Sequence, residues 1–449
     1  MSRLALLTIL TVSAGLLVPT VARSQTLEEC IALARKNAPA IQISEAEVAR
    51  AEQAIREARA ELAPTLRIAG SGVQRSEAQK TVIPIPVPGT TGPLTIKTGS
   101  ATSVDVRAEG RLPLDPSGKD RALVRAAEAA HRGELRGREG ADADLVLRVS
   151  QSFYRAIAAQ RLETAALDAV DAAGARSRLS AAQVRAGTAQ RLDSLQARVD
   201  LLQRESALLR AREAVRVARV ELETAIGATL DPSGNLVPPG APPTRALEAA
   251  AAESIAVHAR PELFALDDSL RENDLRIRAA RAERGLSLGL NGTAQYLGPN
   301  RNEDFLNVRD PGLKTYNLYA GVDFSLPILD GGLASAREGE LRAVRSMIQA
   351  RRRRTELEVR RDVEHSLSDL RVALADWESD SSRVSVAKEA LRIAEAGYRG
   401  GTTTASQVRD AESALADARA QEAQSLMDTW SAEAALTHAM GSASAAGGR

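Results

Sequence analysis

The chain has 449 residues, of which 59 are Lys or Arg and 58 are Asp or Glu, giving a formal net charge of +1. A net charge near zero provides no general electrostatic attraction to nucleic acid, so no nucleic-acid partner is expected. Hydrophobic residues make up 44% of the chain and aromatic residues only 2%. Ala, Arg, Glu and Leu dominate long stretches, which is typical of long helices.

The N-terminal segment 1–24 has the features of a secretory signal peptide. Arg3 supplies a positive charge, an apolar stretch runs from Leu4 to Val18, and the small residues Ala22 and Ser24 precede the expected cleavage point. No later segment offers the uncharged run of about 18 apolar residues that a membrane-spanning helix requires. A mature chain that enters a membrane is therefore expected to do so as a β-barrel.

Cys30 is the only cysteine, so no intrachain disulfide can form. The residues before it, Leu27-Glu28-Glu29, do not resemble the context of a lipidated cysteine. Cys30 is therefore expected to serve as a small residue on a helix face.

The mature chain is a tandem duplication. Gly187-Thr188 recurs as Gly401-Thr402, and Ile226-Gly227 recurs as Met440-Gly441 with the same shift along the chain. The segments between these landmarks therefore align without a gap. Farther upstream, Ala58-Arg59-Ala60-Glu61 recurs as Ala280-Arg281-Ala282-Glu283.

Each copy has the same predicted order: a first helix, two strands, a very long helix, a Gly-Thr turn and a return helix. The first helices are expected over Leu27–Leu62 and Leu247–Arg284, and the long helices over Lys119–Val184 and Leu333–Ala396. The return helices should end at glycines, which commonly adopt the left-handed conformation there. The predicted signal peptide, first repeat, Pro- and Gly-rich linker, second repeat and flexible tail are 1–24, 25–227, 228–245, 246–441 and 442–449.

Three segments alternate polar and apolar residues with a period of two: Val104–Leu112, Leu286–Tyr296 and Leu318–Leu326. Such a strand has one polar and one apolar face, as in a soluble sandwich or a membrane barrel with a wet lumen. The lengths are close to the 9–11 residues that cross a bilayer, which favours the barrel. The Pro-, Gly- and polar-rich segments Thr81–Gly99 and Gly298–Leu313 are expected to be solvent loops.

Four strands per chain predict an oligomer, because an open sheet leaves unpaired edges that are costly in lipid. Three chains would supply twelve strands, an even number within the known range of barrels. The long helices, at about 65 residues and 1.5 Å per residue, would each extend on the order of 100 Å. No compact domain needs such a helix.

Several short motifs accompany this order of elements. Arg185-Ala186-Gly187-Thr188 and Tyr398-Arg399-Gly400-Gly401-Thr402 mark the two turns, with Asp193 and Asp410 just beyond. Further motifs are Leu112-Pro113-Leu114, Leu326-Pro327-Ile328 and Ser152-Phe153-Tyr154. With this order in duplicate behind a signal peptide, nearly all of the mature chain resembles the TolC-type outer-membrane factor family.

The resemblance implies a mixed, mainly α fold. A homotrimer would form a 12-stranded transmembrane β-barrel in outer-membrane lipid, with four strands per chain, continued by a long α-helical coiled-coil tunnel in the periplasm. The family acts as the exit duct of tripartite efflux or type I secretion systems, a passive conduit opened at its periplasmic tip by a periplasmic adaptor (membrane fusion protein) and an inner-membrane pump. No cofactor is implied, and drug, metal and protein cargoes all stay open.

The resemblance also assigns residues near the two turns. Adaptor contacts at the periplasmic tip would come from Arg185, Gly187, Thr188, Arg399, Gly401 and Thr402. Tyr398 would hold Asp193 as a latch that keeps the tip shut. A constriction ring would fall at Asp410 and Gln407, of which only Asp410 is charged. Thr403 stands where the best-known member has an arginine that assists closure, so a looser and less acidic gate is expected.

Two other functions fit parts of the sequence. Gly285-Leu286-Ser287-Leu288-Gly289 matches the G-x-S-x-G pattern of hydrolases, in which the serine follows a strand and precedes a helix. Here a helix precedes Ser287 and a strand follows it, so no enzyme is expected. A periplasmic helical-hairpin adaptor is the other alternative, but it needs only one hairpin. The four histidines lie far apart and predict no metal site.

Overall fold

The computed structural model describes residues 25–77, 80–83, 94–97, 102–188, 190–231, 234–240, 248–298, 316–400 and 402–441. The predicted signal peptide, 1–24, and the predicted tail, 442–449, lie outside these residues.

The described elements follow one another in the predicted order. They are α1 (Leu27–Asn37), α2 (Pro39–Ala60), β1 (Thr65–Gln74), β2 (Lys80–Ile83), β3 (Leu94–Lys97), β4 (Thr102–Leu114), α3 (Lys119–Arg185), α4 (Arg191–Ile226), α5 (Ala249–Ala259), α6 (Pro261–Ala282), β5 (Ser287–Gly298), β6 (Tyr316–Ser325), α7 (Leu333–Arg399) and α8 (Ala405–Ala439). The two long helices, α3 and α7, have 67 residues each. Within the described ranges, no helix has the length and apolar character needed to span a membrane.

Two sequence predictions were wrong in detail. Each repeat was expected to begin with one continuous helix, but the structure divides it in two, before Pro39 and before Pro261. Proline disfavours the helical conformation of the residue before it and fits the first position of a new helix. Ala38 and Arg260 accordingly have extended backbones, with ψ angles of 127° and 119°.

The second correction concerns the segment Thr81–Gly99, which was expected to be a solvent loop. Part of it forms a small antiparallel hairpin, in which Val82 of β2 pairs with Thr95 of β3. The segment Gly298–Leu313 lies almost entirely outside the described residues.

The chain folds as two compact units, and each repeat contributes to both. Unit 1 contains the described residues of 1–42, 141–260 and 359–449, and unit 2 contains those of 43–140 and 261–358. These units divide the chain differently from the predicted repeats, whose boundaries therefore remain a prediction.

Unit 2 contains a four-stranded antiparallel sheet in the order β1-β4-β5-β6. Its register aligns Ile68, Ala108, Ala294 and Leu318 in one row across the four strands. Because side chains alternate along a strand, the predicted period of two gives the sheet one apolar face. The residues of that face include Leu66, Ile68, Val104, Val106, Leu112, Leu288, Leu290, Tyr296, Tyr316, Leu318, Val322 and Phe324.

The opposite face of the sheet is polar and its side chains contact one another. Asp105 pairs with Arg107 and accepts a hydrogen bond from Gln295 Nε2 at 2.9 Å. Asn291 Nδ2 donates to both carboxylate oxygens of Asp323, at 2.9 and 2.8 Å. The apolar face has no such partners among the described residues, and Leu318 and Phe324 are 85% and 78% exposed.

The helices of unit 2 lie side by side in the same order as the strands they join. Arg59 of α2 pairs with Glu128 of α3 at 2.7 Å. Arg132 of α3 pairs with Asp268 of α6 at 3.3 Å. Asn273 of α6 donates to the Leu341 carbonyl of α7 at 2.9 Å. The order α2-α3-α6-α7 therefore matches β1-β4-β5-β6, so each helix continues its strand.

The main core of unit 1 is formed by α1, the middle of α3, the end of α4 and part of α8. Phe153, Leu222 and Ile226 are 0% exposed there, and Tyr154 packs on Trp430 with ring centroids 5.6 Å apart. Cys30 lies on the buried face of α1, where burial raises the pKa of its thiol to about 11. The expected role of Cys30, as a small residue on a helix face, fits this position.

The two return helices end in the same way, at a glycine that touches a helix break. Gly227 has φ +75° and Gly441 has φ +79°, values that favour glycine. A Cβ atom on Gly227 would lie 2.9 Å from the Asn37 carbonyl oxygen. One on Gly441 would lie 2.8 Å from the Ala259 carbonyl carbon. In each repeat, the glycine at the end of the return helix therefore packs against the backbone just before the proline that starts the second helix.

We predict that Gly227→Ala lowers the Tm of the purified protein, because the new methyl group meets backbone and forces a left-handed conformation that costs about 1–2 kcal/mol. Gly140→Ala is the matched control. Gly140 lies inside α3, and a Cβ atom there would meet nothing within 4 Å. Alanine at that position should stabilise the helix by up to about 1 kcal/mol. If Gly227→Ala had the same Tm as the wild-type protein, the close contact with the Asn37 backbone would be contradicted.

Candidate functional site

The two helix-helix turns in unit 1 have the same hydrogen bonds in both copies. Thr188 donates to the Gln183 carbonyl through its backbone N–H at 2.9 Å and its hydroxyl at 3.1 Å. Thr402 donates to the Gly397 carbonyl in the same two ways, at 2.9 and 3.2 Å. These bonds satisfy carbonyls that a helix end would otherwise leave unpaired. The shared threonine therefore has a structural role in the turn.

The arginines of the turn motifs also bind the ends of their own helices. Arg185 Nε donates to the Ala181 carbonyl, and Arg399 Nε donates to the Glu395 carbonyl, both at 3.3 Å. The side chains of both arginines and both threonines are exposed. Of the six residues predicted to contact an adaptor, five are described and exposed, and Gly401 lies outside the described residues.

Asp193 and Gln407 occupy equivalent positions of the two copies, in the first turns of α4 and α8. Asp193 Oδ2 accepts a hydrogen bond from the Gln190 backbone N–H at 3.2 Å. Gln407 Oε1 accepts from the Thr404 backbone N–H at 2.9 Å, while Thr404 Oγ1 accepts from the Gln407 N–H at 3.4 Å. Both side chains thus cap their own helices, and an acid at such a position is favoured by the helix dipole.

A cleft of about 810 Å³ lies between the ends of α3, α4, α7 and α8. Tyr398 and Asp193 both line it, and Tyr398 is 41% exposed. Within the described residues, no hydrogen bond joins the two. The latch therefore remains a prediction, for which the structure provides a shared cleft and an Asp193 carboxylate already engaged by one N–H.

The predicted constriction residues do not line the cleft. Asp410 and Gln407 are exposed, whereas Ser406, Val408 and Arg409 beside them line it. Gln407 is bound to its own helix start. Asp410 forms no ion pair within the described residues, and the ring remains a prediction.

An ion cluster at the base of the cleft was missed in the sequence. Arg176 of α3 pairs with Asp200 of α4 at 3.3 Å and also forms an ion pair with Glu412 of α8. Arg204 reaches the same Asp200 at 3.4 Å. Burial lowers the pKa of the Arg176 guanidinium, while Asp200 acts in the opposite direction. An arginine in a protein stays protonated, so Arg176 links the α3-α4 hairpin to α8 by charge.

The duplication marks these positions as different in the two copies, although it does not show which charges meet. The positions equivalent to Arg176 and Asp200 in the second copy are Ala390 and Ala414, which carry no charge. The position equivalent to Glu412 in the first copy is Arg198, of opposite sign. The helices that the two copies share therefore do not depend on these charges.

Comparison with known proteins identifies the family. The family model described as outer membrane efflux protein matches residues 30–228 and 254–442, which together are most of the chain. The chain belongs to the outer membrane efflux protein family. No curated protein matches the sequence.

Solved channel structures share the fold of this outer membrane efflux protein. The CmeC outer membrane channel of Campylobacter jejuni superposes with a TM-score of 0.73 at 16% identity, over 92% of this chain and 85% of that chain. VceC of Vibrio cholerae gives 0.71 at 18% identity, over 93% and 96%. The open state of MtrE of Neisseria gonorrhoeae gives 0.72 at 18% identity, over 93% and 89%.

These findings confirm the predicted fold class, mainly helical with four strands in one sheet per chain. They also confirm the outer-membrane location and the function as an outer-membrane exit duct. The hydrolase and adaptor alternatives receive no support. Ser287 begins strand β5 after a short connection from α6, and its hydroxyl donates to the Ser325 carbonyl at 3.2 Å.

We predict that Arg176→Gln weakens the attachment of α8 to the α3-α4 hairpin by roughly 1–3 kcal/mol, because Glu412 loses its partner in a partly buried site. Amide hydrogen exchange over the first three turns of α8 should accelerate. The control is Arg212→Gln, whose partner Glu163 lies 3.5 Å away in an exposed pair worth about 0–1 kcal/mol. Equal exchange in both variants would mean that the Arg176 cluster does not hold α8.

Proposed function

We propose that this outer membrane efflux protein works as a homotrimer whose three sheets close a twelve-stranded barrel in the outer membrane. The observation that carries the proposal is the four-stranded sheet, with one continuous apolar face and with β1 and β6 at its two edges. Lipid offers no hydrogen-bond partner to an unpaired strand edge. Pairing β6 of one chain with β1 of the next satisfies every edge at once.

The helices support the same assembly. Leu192, Leu195, Val199, Leu202 and Leu209 of α4 are 53–63% exposed in the single chain. The first four are separated by steps of three, four and three residues, the spacing of a coiled-coil seam. Such a stripe is costly in water and is buried when a helix of a neighbouring chain packs on it. The three chains would thus form one coiled-coil tunnel in the periplasm.

We predict that crosslinking and mass measurement of the mature protein in mild detergent give three chains. Val199→Glu with Leu202→Glu should shift the population toward monomers, because two charges then lie in the seam. Glu205→Gln, on the same helix, is the control and should leave the trimer intact. A monomeric wild-type protein in detergent would contradict the proposal.

The duct is passive in this proposal, and its partners supply energy and selectivity. A periplasmic adaptor would dock at the two turns, where Arg185, Thr188, Arg399 and Thr402 are exposed on backbones fixed by their own caps. An inner-membrane pump would deliver the cargo through that adaptor. The preformed turns support docking, since a rigid surface loses little conformational entropy on binding.

We also propose that the tip is closed by a latch and lined by charge. Tyr398 would donate a hydrogen bond to the second carboxylate oxygen of Asp193, worth roughly 1.5–3 kcal/mol for a bond to a charged group. Three copies act on one gate. The three Asp410 carboxylates would face the pore axis and attract cations, as rings of carboxylates do in other channels.

We predict that Tyr398→Phe combined with Asp193→Ala raises single-channel conductance in planar bilayers, since the closed state loses its latch. Tyr398→Phe alone separates the latch from helix capping, because it removes the latch hydroxyl and leaves the Asp193 cap of α4 in place. Conductance should therefore rise in this single variant as well. A rise in the double variant only would assign the effect to lost capping, and no rise in either would reject the latch.

A further inference from the structure

A second groove, in unit 2, lies between α6 and α7 and is strongly cationic. Its volume is about 490 Å³. Four arginines with exposed side chains line it, together with Asp274, Ile277 and Ser346; they are Arg278 and Arg281 of α6 and Arg342 and Arg345 of α7. We call it the arginine groove.

The carboxylates near the arginine groove neutralise only part of this charge. Arg345 pairs with Asp274 at 2.8 Å. Arg281 and Arg342 share one oxygen of Glu338, at 2.6 and 2.7 Å. Arg278 forms no ion pair with any described residue. Each guanidinium has five N–H donors in a planar fork, so two carboxylates leave most of these donors without a charged acceptor.

The duplication provides an internal reference for the arginine groove. The equivalent groove of the first copy lies between α2 and α3, where Arg56 and Arg59 stand in place of Arg278 and Arg281. Facing them, Glu128 and His131 occupy the positions of Arg342 and Arg345. Arg59 pairs with Glu128 at 2.7 Å, and Arg56 pairs with Glu52 at 2.8 Å.

The two grooves therefore differ in charge while sharing their framework. In the first copy the two arginines meet two glutamates, and Arg132, at the position of Ser346, pairs with Asp268 of α6. The charges there therefore balance when His131 is neutral. In the second copy four arginines meet Asp274 and Glu338, which leaves a net charge of about +2 at neutral pH. Packing α6 on α7 does not require this excess, because the first copy packs α2 on α3 without it.

The arginine groove also lies close to the end of the sheet. Arg281 is six residues before Ser287, where β5 begins, and Arg342 is nine residues into α7. At 1.5 Å per helical residue, Arg342 lies about 13 Å along α7. The headgroup layer extends roughly 5–8 Å beyond each side of the hydrocarbon core, and arginine side chains can reach toward it from the nearer helix turns.

We propose that the arginine groove binds the phosphate group of an anionic phospholipid of the periplasmic leaflet. The position of the groove beside the headgroups rests on the barrel proposed above. Guanidinium forks bind phosphate oxygens in a bidentate manner. Basic pockets between helices at a membrane surface bind anionic headgroups. Arg278, with no carboxylate partner among the described residues, is the first contact for the phosphate, and the Glu338-bound arginines complete the site.

The test uses the full mature protein in an uncharged detergent, with bound lipid counted by native mass spectrometry. Phosphatidylglycerol should bind with about one molecule per chain, and phosphatidylcholine more weakly. Arg342→Glu with Arg345→His installs the residues of the first copy and should weaken phosphatidylglycerol binding by at least about tenfold, given the loss of several charges. Arg56→Gln, in the first groove, is the control and should bind as wild type does.

A gain-of-function variant keeps the proposal testable if the first variant folds poorly. Glu128→Arg with His131→Arg should create a second site and raise bound phosphatidylglycerol toward two per chain. Inorganic phosphate serves as the lipid-free probe. If it binds as tightly as phosphatidylglycerol, and is lost in Arg342→Glu with Arg345→His, the phosphate site is supported and its assignment to lipid is overturned.

Equal phosphatidylglycerol binding by wild type and by Arg342→Glu with Arg345→His would overturn the site altogether. The same spectra report the number of chains in the assembly. A failure of the trimer proposal is therefore visible separately from a failure of the arginine groove.

Discussion

A strand that faces lipid must pair all its backbone N–H and C=O groups within protein, because hydrocarbon provides no other partner. In this chain, that constraint acts on a sheet of only four strands, with edges at β1 and β6. Much of the architecture follows from it. The strands alternate in one register so that a single face is apolar, and the helices α2, α3, α6 and α7 continue them in the same order. In the proposed barrel this sheet is closed by neighbouring chains, so assembly would be part of folding.

Duplication supplied the framework for this arrangement, and both copies reuse the same local chemistry. Prolines at 39 and 261 start a new helix after one extended residue. Glycines at 227 and 441 then close the return helices against those breaks. The threonines at 188 and 402 bind the carbonyl five residues earlier in each turn. These local structures occur at helix ends, where backbone N–H and C=O groups would otherwise lack hydrogen-bond partners.

Specific properties arise where the copies differ in charge. Arg176 and Asp200 are charged where the second copy has alanines, and they bring the α3-α4 hairpin into contact with α8 through Glu412. Arg342 and Arg345 replace Glu128 and His131 and convert a balanced groove into a cationic one. The other copy keeps the same helices without these charges, so the shared helical framework does not require them. Comparison of the two copies thus distinguishes residues that stabilise the shared fold from residues that are specific to one copy.

The sequence by itself determined the order of the elements, because periodicity, helix-ending glycines and the constant shift between the two copies are local or repeated signals. It also determined the polar and apolar faces of the strands and, through motifs, the family. The helix breaks before Pro39 and Pro261 and the β2-β3 hairpin were not predicted. At the breaks, proline geometry overrode the helical periodicity, and in the hairpin local strand pairing overrode the loop-like composition. At the two helix-helix turns, motifs assigned Thr188, Arg185 and Gln407 to partners or a pore, and these assignments remain predictions. The structure adds that their side chains also bind their own helices or turns.

Only the tertiary structure decided which charges meet. Arg176 and Glu412 belong to different repeats, and Arg281 and Glu338 are separated by the whole β5-β6 hairpin. An ion pair depends on distances of a few ångströms between side chains on different helices, and such distances have no signature in the spacing of one sequence. Periodicity can predict that a helix face is charged. The packing of α3, α4 and α8, and of α6 on α7, determines what that charge touches.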